Sequence, residues 1–79
     1  MEVMQEFLVI GSTDGTVGIF GARTLPAGTI VGGEARRLRV VGQAPVKPPS
    51  PRLTTPEWEG WRRTLEAQGY QLELGPFWR

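Results

Sequence analysis

The chain reads as an α+β domain of order β-β-β-β-α-β. This is a small antiparallel β-meander or partly open barrel of about four strands, with one C-terminal helix packed on it and a final short strand. Three observations predict this. Glycine-punctuated runs rich in Val, Ile and Phe fill residues 5–42. An Asp14-Gly15 pair sits between two such runs, the strongest short-range hairpin signal. A stripe of apolar residues at helical spacing then follows a proline-rich break.

Each element has a local cause. Phe7-Leu8-Val9-Ile10 and Val17-Gly18-Ile19-Phe20 flank Ser12-Thr13-Asp14-Gly15, which places strands at about 5–11 and 16–22. At Leu25-Pro26-Ala27-Gly28 proline fixes the first corner of a second turn and glycine supplies a positive φ. Thr29-Ile30-Val31 leads out of that turn as a third strand, and Gly32-Gly33 breaks it. In Arg36-Arg37-Leu38-Arg39-Val40-Val41 the period of two puts Leu38 and Val40 on one face and Arg37 and Arg39 on the other, as in a half-buried strand.

Residues 43–53 form a connector. Gln43 to Arg52 holds four prolines in ten residues, which favours extended or polyproline backbone and forbids a central strand. Pro45-x-x-Pro48 and Pro48-x-x-Pro51 match polyproline ligands superficially, but a segment obliged to join two packed elements reads as a stiff spacer.

A helix is expected over about 55–68. Thr54 and Glu57 have the spacing of a capping box, Leu53 and Trp58 that of a hydrophobic staple, and Pro56 suits the first turn. Trp58, Trp61 and Leu65 share one face; Glu59, Arg62, Arg63 and Glu66 occupy the remainder. Gly69 ends the helix in a Schellman pattern, with Tyr70 falling over Leu65. Tyr70, Leu72 and Leu74 alternate with Gln71 and Glu73 as a strand at about 70–74, before Gly75-Pro76 opens an aromatic tail over 75–79. The whole of 1–79 is a single domain.

Two stretches resemble known families. Gly11 to Phe20, with its Gly-Ser-Thr-Asp-Gly-Thr run, resembles the inner hairpin of a WD40 blade over ten residues. The pattern does not repeat and one blade cannot close a propeller, so this resemblance implies a hairpin only. Ala22 to Val31, followed by Leu38 to Val41, is similar to the core of SAF or β-clip domains of pilus-assembly and flagellar-chaperone proteins. That resemblance implies a compact β-unit with a Pro-Ala-Gly-Thr corner.

Composition then narrows the function. The 79 residues contain no cysteine and no histidine, which excludes disulfides and cysteine-rich metal sites and removes the commonest general base and nitrogen ligand. Asp14 is the sole aspartate and sits in a hairpin tip; Ser12 and Ser50 have no local base. The glycines of 28–33 lack the Gly-Lys-Ser/Thr of a phosphate loop. The expectation is a protein without enzymatic activity, with no cofactor, no metal and no small-molecule substrate. A net charge of +1 gives no global polyelectrolyte signal. The longest apolar run is far too short for a bilayer, and the acidic start is the reverse of a secretory leader, so a cytoplasmic protein with no membrane role is expected.

What remains is binding. Arg36, Arg37 and Arg39 are the densest positive cluster, with Arg23 and Arg52 within reach. Phe77-Trp78-Arg79 places two aromatics and an arginine after a Gly-Pro break, where a solvated end is normally polar. The expected function is a small accessory or regulatory module that docks onto a larger protein, or onto its own copies. It would use Phe77, Trp78 and Arg79 together with an exposed sheet edge or the Arg36/Arg37/Arg39 face. The alternative is a nucleic-acid-binding β-module using the same arginines with aromatic stacking.

Overall fold

Strand β1 (Val3–Gly11) hydrogen-bonds on both of its edges, and this makes it the axis of the molecule. The computed structural model describes residues 1–21 and 35–76. After β1 come β2 (Thr16–Gly21), β3 (Ala35–Gly42), β4 (Arg52–Thr54), helix α1 (Thr55–Ala67) and β5 (Gln71–Pro76). The strands form one open antiparallel sheet of order β4-β2-β1-β3-β5. It is the α+β arrangement expected, with a C-terminal helix and a closing strand.

The β1–β2 hairpin closes where Asp14-Gly15 predicts. Asp14 Oδ1 accepts hydrogen bonds from the Thr16 amide at 3.1 Å and the Thr16 hydroxyl at 2.6 Å, and Gly15 adopts φ +86°, where a side chain would be strained. The strand expected at 36–41 is β3, and it lies beside β1 on the side away from β2. The strand at Thr29–Val31 and the turn at Leu25–Gly28 fall outside the described residues.

The connector holds an element its prolines conceal. Arg52, Leu53 and Thr54 pair antiparallel with Gly18, Val17 and Thr16, and the Pro51 carbonyl accepts from the Ile19 amide at 2.8 Å. Proline is tolerable beside this strand because β4 is at the sheet edge, where no outward N–H is needed. Further back, Gln5 straps the connector down. Its side-chain amide donates to the Val46 carbonyl at 3.1 Å and accepts from the Val46 amide at 2.7 Å, imitating a strand partner.

The register sorts the side chains into two faces. Phe7 and Val9 of β1 share a face with Leu38 and Val40 of β3, Val17 and Ile19 of β2, and Leu53 of β4. Trp58 and Leu65 of α1 are buried in the same cluster, and Trp61, Leu72 and Leu74 pack against it half-buried. Trp61 meets Phe7 edge-on at 6.1 Å between ring centres, an orientation that suits the ring quadrupoles. Leu8 points to the opposite face and is fully buried as well.

Both helix ends carry the expected caps. At the start, the Glu57 amide donates to Thr54 Oγ1 at 3.3 Å and the Thr54 amide to Glu57 Oε1 at 2.8 Å. Thr55 Oγ1 donates to the Gly15 carbonyl at 3.1 Å, joining the helix start to the hairpin tip. At the end, the Gly69 amide donates to the Glu66 carbonyl and the Tyr70 amide to the Leu65 carbonyl, both at 3.0 Å. With Gly69 at φ +94° this is the Schellman pattern. Tyr70 then lies across Gly42 and its hydroxyl donates to the Ala44 carbonyl at 3.1 Å.

This packing sets the expected cost of three substitutions. Leu38→Ala removes a fully buried side chain from the middle of the cluster, and urea unfolding is expected to show a loss of about 3 kcal/mol. Met4→Ala, on the exposed part of the other face, should stay within about 0.5 kcal/mol of wild type. Gly42→Ala would drive a methyl group into the Tyr70 ring, so the ring must move and release Ala44. The expected cost is about 1–3 kcal/mol by the same measurement; an unchanged midpoint would contradict the described seat of Tyr70.

Candidate functional site

The period of two divides the arginine cluster. Arg37 lies across β1 from Leu8 and Arg39 from Glu6, so both project from the face opposite the helix. Arg36 lies across from Val9 and so belongs to the helix side, at the end of β3 where it is exposed. Parity alone separates them, since Arg36 has the same parity as Leu38 and Val40. Phe77, Trp78 and Arg79 lie outside the described residues.

On the face away from α1, the two arginines have carboxylate neighbours. Arg37 Nε is 3.4 Å from Glu6 Oε2, and an Arg39 terminal nitrogen is 3.9 Å from Glu73 Oε1. Pairs this exposed contribute about 0–1 kcal/mol each, so their main effect is on charge rather than stability. Two positive and two negative groups leave the patch close to neutral. Beside it Met4 is 57% exposed and Phe20 40% exposed, and Val41 is half-buried across from Met4. The surface is therefore an apolar patch among paired charges.

The two sheet edges differ. β4 offers three residues next to Pro51, a short and blocked edge. β5 runs six residues, pairs with β3 over Arg36 to Val41, and among the described residues has no strand on its other side. Along it Gln71 and Glu73 are exposed while Leu72 and Leu74 turn to the core. Among the described residues its backbone carries the longer unpartnered edge of this sheet.

A third region was not visible in the sequence. Arg36 and Arg62 line a groove of about 340 Å³ between the sheet and α1, together with residues of the hairpin. The Arg62 guanidinium sits 4.7 Å above the Trp58 ring, a cation–π contact that four-residue helical spacing makes possible. That spacing was a readable signal; the groove shared with Arg36 is a long-range consequence of the fold.

Among the described residues no three acidic side chains gather as a metal site would require. Two carboxylates have structural partners instead. Hydrogen bonds from the Thr16 hydroxyl and amide hold the Asp14 carboxyl below its ordinary value, and bonds from the Thr54 backbone and side chain do the same for Glu57. A lowered folded value means that the stabilisation is present above the unfolded carboxylate range and is lost as pH falls through the folded value. The melting temperature should therefore drop on acidification below about pH 4, and the D14N/E57Q double variant should lose less of it than wild type. Identical acid profiles would show that these bonds do not differ between the folded and unfolded chains. Comparison with protein-family models, with curated proteins and with solved structures finds no match to this chain.

Proposed function

We propose that the protein is a non-enzymatic docking module of the cytoplasm, a small accessory or regulatory partner that binds another protein or a second copy of itself along β5. The observation that carries this reading is the six-residue edge of β5, unpartnered among the described residues, which leads in sequence into Phe77-Trp78-Arg79. Main-chain groups on such an edge pair with any added strand, and aromatic residues beside it supply the apolar anchor that strand pairing alone lacks.

The electrostatics favour a protein surface over a phosphate backbone. Arg37 and Arg39 already face Glu6 and Glu73, so a nucleic-acid strand would have to displace or repel those carboxylates. Exposed Met4 and Phe20 on the same face suit an apolar partner surface. No helix among the described residues is long and apolar enough to cross a membrane.

The test removes residues 77–79. The shortened chain should unfold cooperatively like wild type, while association measured by sedimentation across a concentration series, or with a co-purified partner, should be lost. Unfolding of the shortened chain would make these residues part of the core and overturn their role as anchor. A single-stranded oligonucleotide should show no binding at low salt. Tight binding that weakens steeply with salt would replace the docking reading with the nucleic-acid one.

A further inference from the structure

The proline-rich connector does more than its role as a spacer requires. Its attachment to the domain falls on a few residues: the Tyr70 hydroxyl donates to the Ala44 carbonyl at 3.1 Å, Gln5 bonds the amide and the carbonyl of Val46, and the Ile19 amide donates to the Pro51 carbonyl at 2.8 Å. Val46 packs against the core, whereas Ala44, Pro45 and Lys47 are exposed and Pro48 is half-buried. Docking along β5 uses none of these side chains.

Little backbone freedom remains between Ala44 and Pro51. Proline rings fix φ at residues 45, 48, 49 and 51, and the residues that precede them, Ala44, Lys47, Pro48 and Ser50, are pushed to extended or polyproline backbone. Val46 alone escapes both rules, and Gln5 holds both of its backbone groups. Residues 45–48 run outside helix and strand, and the path next bends at Pro49. On a polyproline path, with three residues per turn, Ala44 and Lys47 share one ridge and Pro45 and Pro48 a second. Val46 then lies on the third ridge, toward the core.

We propose that residues 44–48 are a preformed polyproline ligand for an aromatic-lined groove with an acidic rim on another protein. Ala44-Pro45 and Lys47-Pro48 are two X-Pro steps one turn apart, about 9 Å, and such steps seat between flat aromatic rings. An added strand does not suit this surface, because prolines 45 and 48 offer no N–H. The carbonyls of Pro45 and Lys47 have no hydrogen-bond partner among the described residues and can accept from donors in the groove. Charge selects the rim: Lys47 is exposed, and among the described residues no carboxylate lies within ion-pair distance of it. Because the fold already sets the path, binding loses less chain entropy than it would for a free peptide.

The experiment titrates the full-length 15N-labelled chain by NMR with isolated SH3, WW and EVH1 domains, which bind polyproline through aromatic grooves. An SH3 variant stripped of its groove aromatics is the control. At least one intact domain should move the amides of Ala44, Val46 and Lys47 saturably, and the control should not. Lys47→Glu and Pro45→Ala change exposed side chains, so each should keep the wild-type urea midpoint while affinity falls about tenfold. Gln5→Ala, which frees Val46 without altering the outward ridges, should weaken binding about threefold. The proposal is overturned if no domain gives a saturable shift at these amides, if the stripped control reproduces it, or if Lys47→Glu binds as wild type does. A Gln5→Ala chain of unchanged affinity would overturn the preformed path.

Discussion

Antiparallel pairing of β1 on both of its edges is the constraint from which the rest of the structure follows. Phe7 stands between Gly21 and Leu38, and Val9 between Ile19 and Arg36, so a single register sets which side chains meet α1. A slip of one residue would turn Glu6 toward Trp61 and send Phe7 to the other face. Leu8, fully buried on the side away from the helix, adds to the specification because β1 has no solvated face there to tolerate the exchange. In a chain of 79 residues, with total stability of about 4–12 kcal/mol at the usual amount per residue, this one register accounts for much of what keeps the domain folded.

The helix is secured to that sheet at several points, none large alone. The capping box and Schellman ending satisfy backbone groups that would otherwise lack partners, and Thr55 ties the first turn to Gly15. Trp61 against Phe7 and the two tryptophan rings at 6.0 Å supply the apolar contact. Gln5 holds Val46, so the proline-rich connector becomes a fixed strap leading into β4. The same geometry leaves the two sheet edges unequal: the strap ends in a short, proline-flanked strand at one, while β5 closes the chain's path at the other.

Legibility in the sequence followed the range of the interactions. Residues two to five apart carry the helix caps and the Asp14 turn, and these could be read directly from Thr54, Glu57, Gly69 and Asp14-Gly15. Alternation likewise assigned the faces of Leu38, Val40, Arg37 and Arg39. It also contained the separation of Arg36 from Arg37, which grouping by charge obscured. β4 was not legible, because three residues beside Pro51 have no strand signature and exist as a strand through pairing with β2. The central place of β1 did leave a trace in the unbroken run Phe7-Leu8-Val9-Ile10, the pattern of a strand covered on both faces rather than one. The carboxylate partners of Arg37 and Arg39, and the groove that Arg36 and Arg62 both line, join positions far apart in the chain; they required the fold.

The functional reading rests on what the sheet leaves over once β1 is satisfied. Charges on one face are largely neutralised by their neighbours, an apolar patch remains beside them, and β5 keeps an edge without a strand partner among the described residues. Native-state hydrogen exchange on the full chain tests this most directly, at high dilution and again under conditions of association. The account predicts that the amides of Phe7, Leu8 and Val9 exchange only through global unfolding. It also predicts that β5 amides not bonded to β3 exchange rapidly in the dilute chain and become protected on association. Protection of every β5 amide at high dilution, or exchange of the β1 amides before global unfolding, would contradict it.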